Sequence, residues 1–533
     1  MIELLDAHLP ILPVLVPAFA AILLLLVGDS AGGDSATARL RWARAIALFA
    51  GVACLLVAAR LAGASHDGPI RVYRLGDWPA PFGIVLVVDR LSALMLLLTA
   101  SIAVPVLVYA SGGWDSHGRH FHAILQFQLM GLNGAFVTGD VFNLFVFFEV
   151  LLIASYVLAL HGHGKARLAA GLHYVVLNLA ASVLFLVGVA LIYALTGTLN
   201  LADLAVRVPQ VAGPEAAVLQ AAGLILLVVF GFKAAIMPLS MWLPATYAAA
   251  AAPVAALFAI MTKVGVYAVV RVHGVVFGAD GAGPAAGAAT AATVQAWLLP
   301  LALVTTVTAV LGALAARTLP RLVAWLTVVS VGTVLTALGV GGAQAWSAAL
   351  YYMAQSTLVI AGMFLLSELV GAQRGDAADR LEPGSPVAQP QLLGLLLLLG
   401  GASVAGLPPL PGFIGKLMIL ESSIGHAWVA AVWVVVLGVG FLTLIGLARA
   451  GSVLFWNVRR EGAVSASAGA SPLLLAATVA LLAAAVVMSV FAEPLKRFTD
   501  AAALQLADRT AYAEAVLGGT AGGVRPYRGA APP

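Results

Sequence analysis

Residues 231–271 read GFKAAIMPLSMWLPATYAAAAAPVAALFAIMTKVGVYAVVR. Lys233 and Lys263 sit in the middle of apolar runs, and Pro238, Pro244 and Pro253 fall between them. About 20 apolar residues in a helix cross the hydrocarbon core of a bilayer. An ionised side chain near the centre of that core costs about 2.5–3.5 kcal/mol even on the mildest scale. The segment therefore reads as membrane helix that retains cations at a cost, with interruptions nearby.

The rest of the chain agrees. Of 533 residues, 62% are apolar and 9% charged, with a mean hydropathy of +1.05. Soluble domains are about 45–50% apolar and about 25% charged. This excludes a soluble enzyme, a disordered scaffold and a nucleic-acid binder. The net charge of +4 is too dilute to attract a polyanion. Cys54 is the single cysteine, so no internal disulfide forms.

Fourteen apolar stretches are long enough to span, at about 9–27, 42–63, 83–110, 121–138, 139–160, 168–195, 216–237, 247–276, 295–316, 319–341, 346–370, 390–424, 426–448 and 471–492. Their continuous Leu/Ala-rich character lacks the alternation of a membrane barrel. The fold class is all-α and polytopic. The acidic leader MIELLD argues that the first stretch is a retained span and not a signal peptide. The most polar internal connection is 371–389, a small Ala/Ser/Gly linker occupies 461–470, and Val516 to Pro533 is expected to be disordered.

Positive charge sets orientation. Connections after odd-numbered spans carry thirteen Lys/Arg, among them Arg44, Arg317, Arg459 and Arg460; those after even-numbered spans carry five, Arg60, Arg71, Arg74, Arg207 and Arg271. The odd connections are expected to face the cytoplasm, with both termini external. The C-terminal tail carries five more cations, leaving four: Arg90, Lys233, Lys263 and Lys416. Arg90 is expected to pair with the adjacent Asp89. Glu149, in NLFVFFEVLLIASY, is the one acid set as deep as the three lysines. It can neutralise only one of them at a time.

Burial lowers a lysine pKa and a nearby carboxylate raises it again. A lysine whose acidic partner moves or is protonated can take up and release a proton near neutral pH. We therefore expect Glu149 and Lys233 to form a switchable pair, with Lys263 and Lys416 continuing a proton path laterally. The plain alternatives are ion pairing between helices or snorkelling to the interface. Prolines lie beside these sites, with Pro408, Pro409 and Pro411 just before Lys416. A proline removes a backbone donor and frees a carbonyl. In a membrane such groups are tolerated only inside protein or beside water. Breaks are expected in spans 8 and 12, each with a lysine just past it. Five histidines in HGRHFH and HGHGK (His117, His120, His122, His161, His163) lack a Cys or carboxylate framework, so no metal site is expected. Glu421, five residues beyond Lys416, reads as an exit group or as a solvated helix end. No phosphate loop, dinucleotide fingerprint, CxxC or haem motif is present, and no resident cofactor is expected.

Four segments together resemble one family: WPAPFGIVLVVDRLSALMLL (78–97), FNLFVFFEVLLIASY (142–156), the 231–271 stretch and GLPPLPGFIGKLMIL (406–420). They are similar to the D subunits of multisubunit Mrp-type monovalent cation/proton antiporters, relatives of the antiporter-like subunits of respiratory complex I. The resemblance covers nearly the whole chain. It implies fourteen helices with two inverted five-helix repeats. The domains are then 1–120 (helices 1–3), 121–276 (helices 4–8), 295–448 (helices 9–13), 471–492 (helix 14) and an external, partly disordered tail 493–533. It implies a transporter subunit and not an enzyme, carrying H+ and Na+ with other antiporter subunits in a bacterial inner membrane. It places the proton relay at Glu149, Lys233, Lys263 and Lys416. The chain departs from many relatives at Tyr247, where they have histidine, and at Gln355 and Ile360, where they have histidine and lysine. Leu326 and Ser330 likewise stand in a region richer in polar residues elsewhere. A second reading is the membrane-arm subunit of a complex I-like quinone reductase or membrane hydrogenase, in which partner subunits would drive the same path. A purely structural membrane scaffold is the third, disfavoured by the buried lysines.

Overall fold

The computed structural model describes residues 6–28, 35–278, 286–458 and 469–518. Nearly all are helical. The helices are α1 (Leu12–Val27), α2 (Ser35–Asp67), α3 (Arg90–Ala110), α4 (Phe121–Val137), α5 (Val141–Leu160), α6 (Lys165–Thr196), α7 (Leu201–Arg207), α8 (Pro214–Ala234), α9 (Trp242–Ala249), α10 (Ala252–Ala268), α11 (Ala286–Leu314), α12 (Leu319–Val340), α13 (Gly342–Ala372), α14 (Pro390–Ala405), α15 (Pro411–Ser422), α16 (Val429–Gly451), α17 (Pro472–Val490), α18 (Ala492–Ala507) and α19 (Arg509–Leu517). A π-helical segment, Val269–Val276, continues α10. Twelve helices among the described residues are long and apolar enough to cross a membrane. α4, with 17 residues, and the interrupted pair α14–α15 account for the other two expected spans.

α10, α12 and α13 are almost wholly enclosed, while α1, α2, α6, α16 and α17 turn apolar faces outward, with Leu26, Phe49, Leu172, Val434 and Val490 exposed. Lipid solvates such faces, so they need no further cover. The protein interior is therefore the layer around α10, α12 and α13.

Two sequence expectations are corrected here. Hydropathy starts the third span at residue 83, but Val85–Val88 is a strand, β2, paired antiparallel with β1 (Arg71–Arg74) in the register Arg71↔Val88. The β-branched run VLVV favours strand. α3 starts only after it, where Asp89 caps the helix by accepting from the Ser92 N–H at 2.8 Å.

The first break lies in the seventh span and not the eighth. Coil Ala235–Met241 separates α8 from α9. Gly265, in the last turn of α10 before its π-helical continuation, lies against the backbone of Lys233 and Ala234. The Ala249 carbonyl, at the far end of α9, accepts from Arg167 in the first turn of α6 at 2.7 Å. α9 thus runs from the depth of Lys233 to the edge where α6 begins, and α10 turns back from that edge. Pro244 and Pro253 start these helices, at the third residue of α9 and the second of α10. No intrahelical N–H bond is due at those positions, so proline opens a helix there without breaking it. The second break is in span 12 as expected, with Pro408 and Pro409 between α14 and α15 and Pro411 as the first residue of α15.

In the tail, Ala492–Ala507 and Arg509–Leu517 are helical, and Val516 belongs to the second of these. Residues 519–533, Arg459, Arg460 and most of the 461–470 linker lie outside the described residues.

Candidate functional site: a polar row through the enclosed helices

Lys233 is the penultimate residue of α8 and is 5% exposed. Its ammonium donates to the Asn178 Oδ1 on α6 at 3.2 Å and approaches Ser182 Oγ at 3.5 Å. Asn178 in turn donates to the Tyr174 carbonyl at 3.0 Å, and the Tyr174 hydroxyl meets Ser155 Oγ at 2.7 Å. Ser155 lies on α5, six residues beyond Glu149. Glu149 stands within electrostatic range of Lys233 but makes no ion pair with it among the described residues, and its Oε1 is buried without a hydrogen-bond partner. The expected contact pair is thus a separated pair.

Lys263 is fully buried on α10. It donates to Ser330 Oγ on α12 at 3.2 Å, and Ser330 donates to Ser356 Oγ on α13 at 2.8 Å. The residue before it on α13 is Gln355, whose Oε1 accepts from Ser403 Oγ on α14 at 3.2 Å. Gln355 Nε2 is buried with no partner. Two residues past Ser403 the helix stops. A helix end leaves its last carbonyls without intrahelical donors. Lys416 on α15 fills them, donating to the Val404 and Ala405 carbonyls at 3.1 and 2.7 Å. The lysine is a C-cap, placed where the helix dipole favours a cation. The proline break creates the acceptors, and close approach brings the donor: a Cβ on Gly412 would sit 1.7 Å from the Ser403 oxygen.

The row therefore runs from Lys263 through Ser330, Ser356, Gln355 and Ser403 to Lys416, across α10, α12, α13, α14 and α15. Lys233, Asn178 and Ser182 form a separate cluster that meets the row where α8 packs on Gly265. None of the three lysines has a carboxylate within ion-pair distance among the described residues. Each is satisfied by neutral acceptors. Such an arrangement suits a group that gains and loses a proton, because neither state is locked by a fixed counter-charge.

The accessory candidates fare unequally. Tyr247 is fully buried, but its hydroxyl donates to the Phe258 carbonyl at 3.0 Å and touches no lysine. Glu421 is exposed at the end of α15. Pro238 lies in the α8–α9 coil. The histidines tie loops: His122 Nε2 lies 3.0 Å from Asp115 Oδ2, and His161 Nε2 lies 2.8 Å from the Trp114 carbonyl. Among the described residues no three His, Cys, Asp or Glu side chains gather as a metal site would require.

Asp89 does not pair with Arg90. It forms a bidentate ion pair with Arg271 at 2.6 and 2.8 Å, on side chains each 2% exposed. Arg271, read from sequence as a connection cation, lies in the buried π-helical segment. Arg90 points outward and donates to the His66 carbonyl at 2.8 Å. No sequence-local signal joins Asp89 to a residue 182 positions away.

Enclosed helices, two interrupted spans and a buried cationic row define a polytopic membrane protein of the ion-translocating kind. The chain belongs to the family described as NADH:quinone oxidoreductase/Mrp antiporter, TM, which matches residues 138–444. It is 39% identical over 538 residues to a Rhizobium meliloti (strain 1021) protein named as the D subunit of a probable K(+)/H(+) antiporter, covering 96% of this chain and 97% of that one. It is 36% identical to a protein of Alkalihalophilus pseudofirmus named as the D subunit of a Na(+)/H(+) antiporter, covering 96% and 99%. Among solved structures, a chain of the Mrp complex from Dietzia sp. DQ12-45-1b superposes with a TM-score of 0.83 at 25% identity, over 96% of this chain and 99% of that one. A chain of respiratory complex I from Thermus thermophilus shares the fold, with a TM-score of 0.75 at 23% identity over 94% and 99%.

Proposed function

We propose that this chain is the D subunit of a multisubunit monovalent cation/proton antiporter and that it carries the proton. The observation that bears the reading is the row from Lys263 to Lys416, four neutral side chains long, in an enclosed layer where hydroxyls such as Thr327, Thr333 and Thr336 bond back to their own helix. Protons enter the set at Glu149 and Lys233, pass to Lys263, and move along Ser330, Ser356, Gln355 and Ser403 to Lys416. A hydroxyl hands a proton on by accepting one and releasing its own, so Ser330, Ser356 and Ser403 carry the proton, while the Gln355 amide, which accepts from Ser403, orients the donors and acceptors on either side of it. Water beside Gln355, whose Nε2 has no protein partner, completes the step where many relatives carry histidine.

Na+ or K+ is the exchanged cation, the bacterial inner membrane is the location, and other antiporter subunits complete the assembly. The odd-numbered connections face the cytoplasm and both termini lie outside. The corrected break supports two inverted repeats, 121–276 and 295–448. Spans 7 and 12 are each the fourth helix of their repeat, so the breaks now correspond. The redox membrane-arm alternative shares the fold, but the full-length similarity at 36–39% runs to antiporter subunits.

The test is cation-dependent proton movement in everted vesicles carrying the whole complex. Lys233→Ala, Glu149→Ala and Lys263→Ala are each expected to abolish it while the subunits still co-purify. Intact transport in Lys233→Ala or Glu149→Ala would overturn the relay.

A further inference from the structure

A cavity at the end of the ninth span takes no part in the proton row. Its volume is about 860 Å³, and it lies between the start of α6, the far half of α9 and the turn 315–318 that joins α11 to α12. Ligand sites occupy about 300–1,000 Å³. The rim is cationic. Arg317 and Arg321 line it, both are exposed, and neither makes an ion pair among the described residues. Asp379 is the one carboxylate in the wall. Two more guanidiniums stand behind it, Arg449 donating to the Ala316 carbonyl at 3.3 Å and Arg167 to the Ala249 carbonyl at 2.7 Å.

Below the rim the walls turn apolar, with Ala169 on α6, Ala245 on α9 and Trp325 on α12. Gly312 lets the indole of Trp325 lie close against α11, since a Cβ there would meet the ring at 2.4 Å. Trp325 is seven residues, about 10 Å at 1.5 Å per residue, along α12 from Thr318. One leaflet of the hydrocarbon core is about 15 Å deep, half of about 30 Å. Leu168 and Leu172 are exposed on α6 beside the cavity, so it opens toward lipid. A soluble anion would gain nothing from alanine and indole walls, and a lipid without net charge would gain little from the arginines. Basic pockets between membrane helices hold anionic headgroups for this reason.

We propose that this cavity binds one anionic phospholipid, with its phosphate at Arg317 and Arg321 and the first part of an acyl chain against α6, α9 and Trp325. The lipid then touches α9, the second half of the broken seventh span, on one side and the α11–α12 pair on the other. It braces the broken half-helix against the helices of the proposed second repeat. The inference goes beyond the antiporter reading and requires only that the chain spans a membrane.

The test uses the assembled complex in mild detergent and phosphatidylglycerol carrying a diazirine on its acyl chain, with the same chain on zwitterionic phosphatidylcholine as control. After irradiation, peptide mass spectrometry is expected to find phosphatidylglycerol label at the start of α6, in α9 and in 312–325, at least tenfold above the phosphatidylcholine label. Arg317→Gln combined with Arg321→Gln should bring the two lipids level there, while label on the exposed face of α17 stays unchanged. Equal labelling by both lipids in the wild-type complex would overturn the proposal without any variant. A double variant that still favours phosphatidylglycerol would do the same, as would a cavity that neither lipid labels because another subunit fills it. Each of these outcomes reads binding alone, so none of them touches the antiporter reading, which rests on transport.

Discussion

The pair Asp89–Arg271 makes a demanding stability test, because sequence and structure assign Asp89 different partners. In Asp89→Ala, Arg271, 1% exposed in the wild-type fold, loses its carboxylate and is left with Ser92 Oγ at 3.1 Å, the Tyr267 hydroxyl at 3.2 Å and the Tyr267 and Tyr512 rings at 5.3 and 5.5 Å. Breaking a buried pair by removing one partner costs about 3–5 kcal/mol. The same substitution removes the α3 cap from the Ser92 N–H, another cost of about 1 kcal/mol. Asp89→Ala is therefore expected to cost about 4–6 kcal/mol by these two contributions. Arg90→Ala, which removes only an outward bond to a carbonyl, should cost about 1 kcal/mol or less. The double variant Asp89→Asn with Arg271→Met replaces the pair by groups of similar volume and should recover most of the loss. Unfolding in mixed micelles, followed by tryptophan fluorescence, reads all three. Equal costs for Asp89→Ala and Arg90→Ala would refute the assignment, as would a double variant costing the sum of its single changes.

Other consequences are open to simpler measurement. Gly412→Ala should force α14 and α15 apart, lower the thermal midpoint and abolish transport, since its Cβ would fall 1.7 Å from the Ser403 oxygen; overpacking of this kind costs about 1–3 kcal/mol. Ser330→Ala cuts the hydroxyl link between Lys263 and Ser356 and should slow transport at least tenfold, with Ser330→Thr retaining more activity than Ala; equal rates for both would remove Ser330 from the path. Outside the spans, burial alone would push the Asp115 carboxyl up, but hydrogen bonds from Arg44 at 2.6 and 2.8 Å and from His122, with their charges, outweigh it and hold it below the ordinary carboxylate range. Its folded pKa is depressed, so its contribution is present above the unfolded value of about 3.9 and is lost as pH falls through the folded one. Arg44→Met should flatten the fall in thermal midpoint across that acidic window.

How far the sequence spoke depended on contrast. Lys233, Lys263, Lys416 and Glu149 were legible because each is a charge in an apolar helix. Of the groups between them, Gln355 and Ser330 were marked only as departures from relatives, and Ser356 and Ser403 were not marked at all. Ser330, Ser356 and Ser403 are hydroxyl residues in membrane helices, and most such residues only bond their own preceding turn, as Thr99, Thr327, Thr333 and Thr336 do here. Residue type cannot separate a bridging hydroxyl from a self-satisfied one; only the facing helix does. Asn178 was hidden for the same reason. The first break was misplaced because proline both opens helices and ends them, and Pro253 is of the opening kind. Span length misled at Val85–Val88, where hydropathy is blind to whether an apolar run is strand or helix.

The guanidinium of Arg509 has a bearing on how the protein is made. It donates to the Val275 carbonyl at 2.7 Å, to Gly278 at 2.9 Å and to Val276 at 3.2 Å. These are acceptors at the end of the Lys263 helix, and their donor is encoded 234 residues after Val275. During synthesis the helix must enter the bilayer and wait with that end unfinished while α11 to α18 are inserted around it. The order of translation thus delays final locking of the central helix until the periphery is already in place. A nascent chain arrested before Arg509 should leave the Val275, Val276 and Gly278 carbonyls without this donor, read as a higher amide-I frequency of those carbonyls when isotope-labelled, and release of the next turn of α19 should lower it.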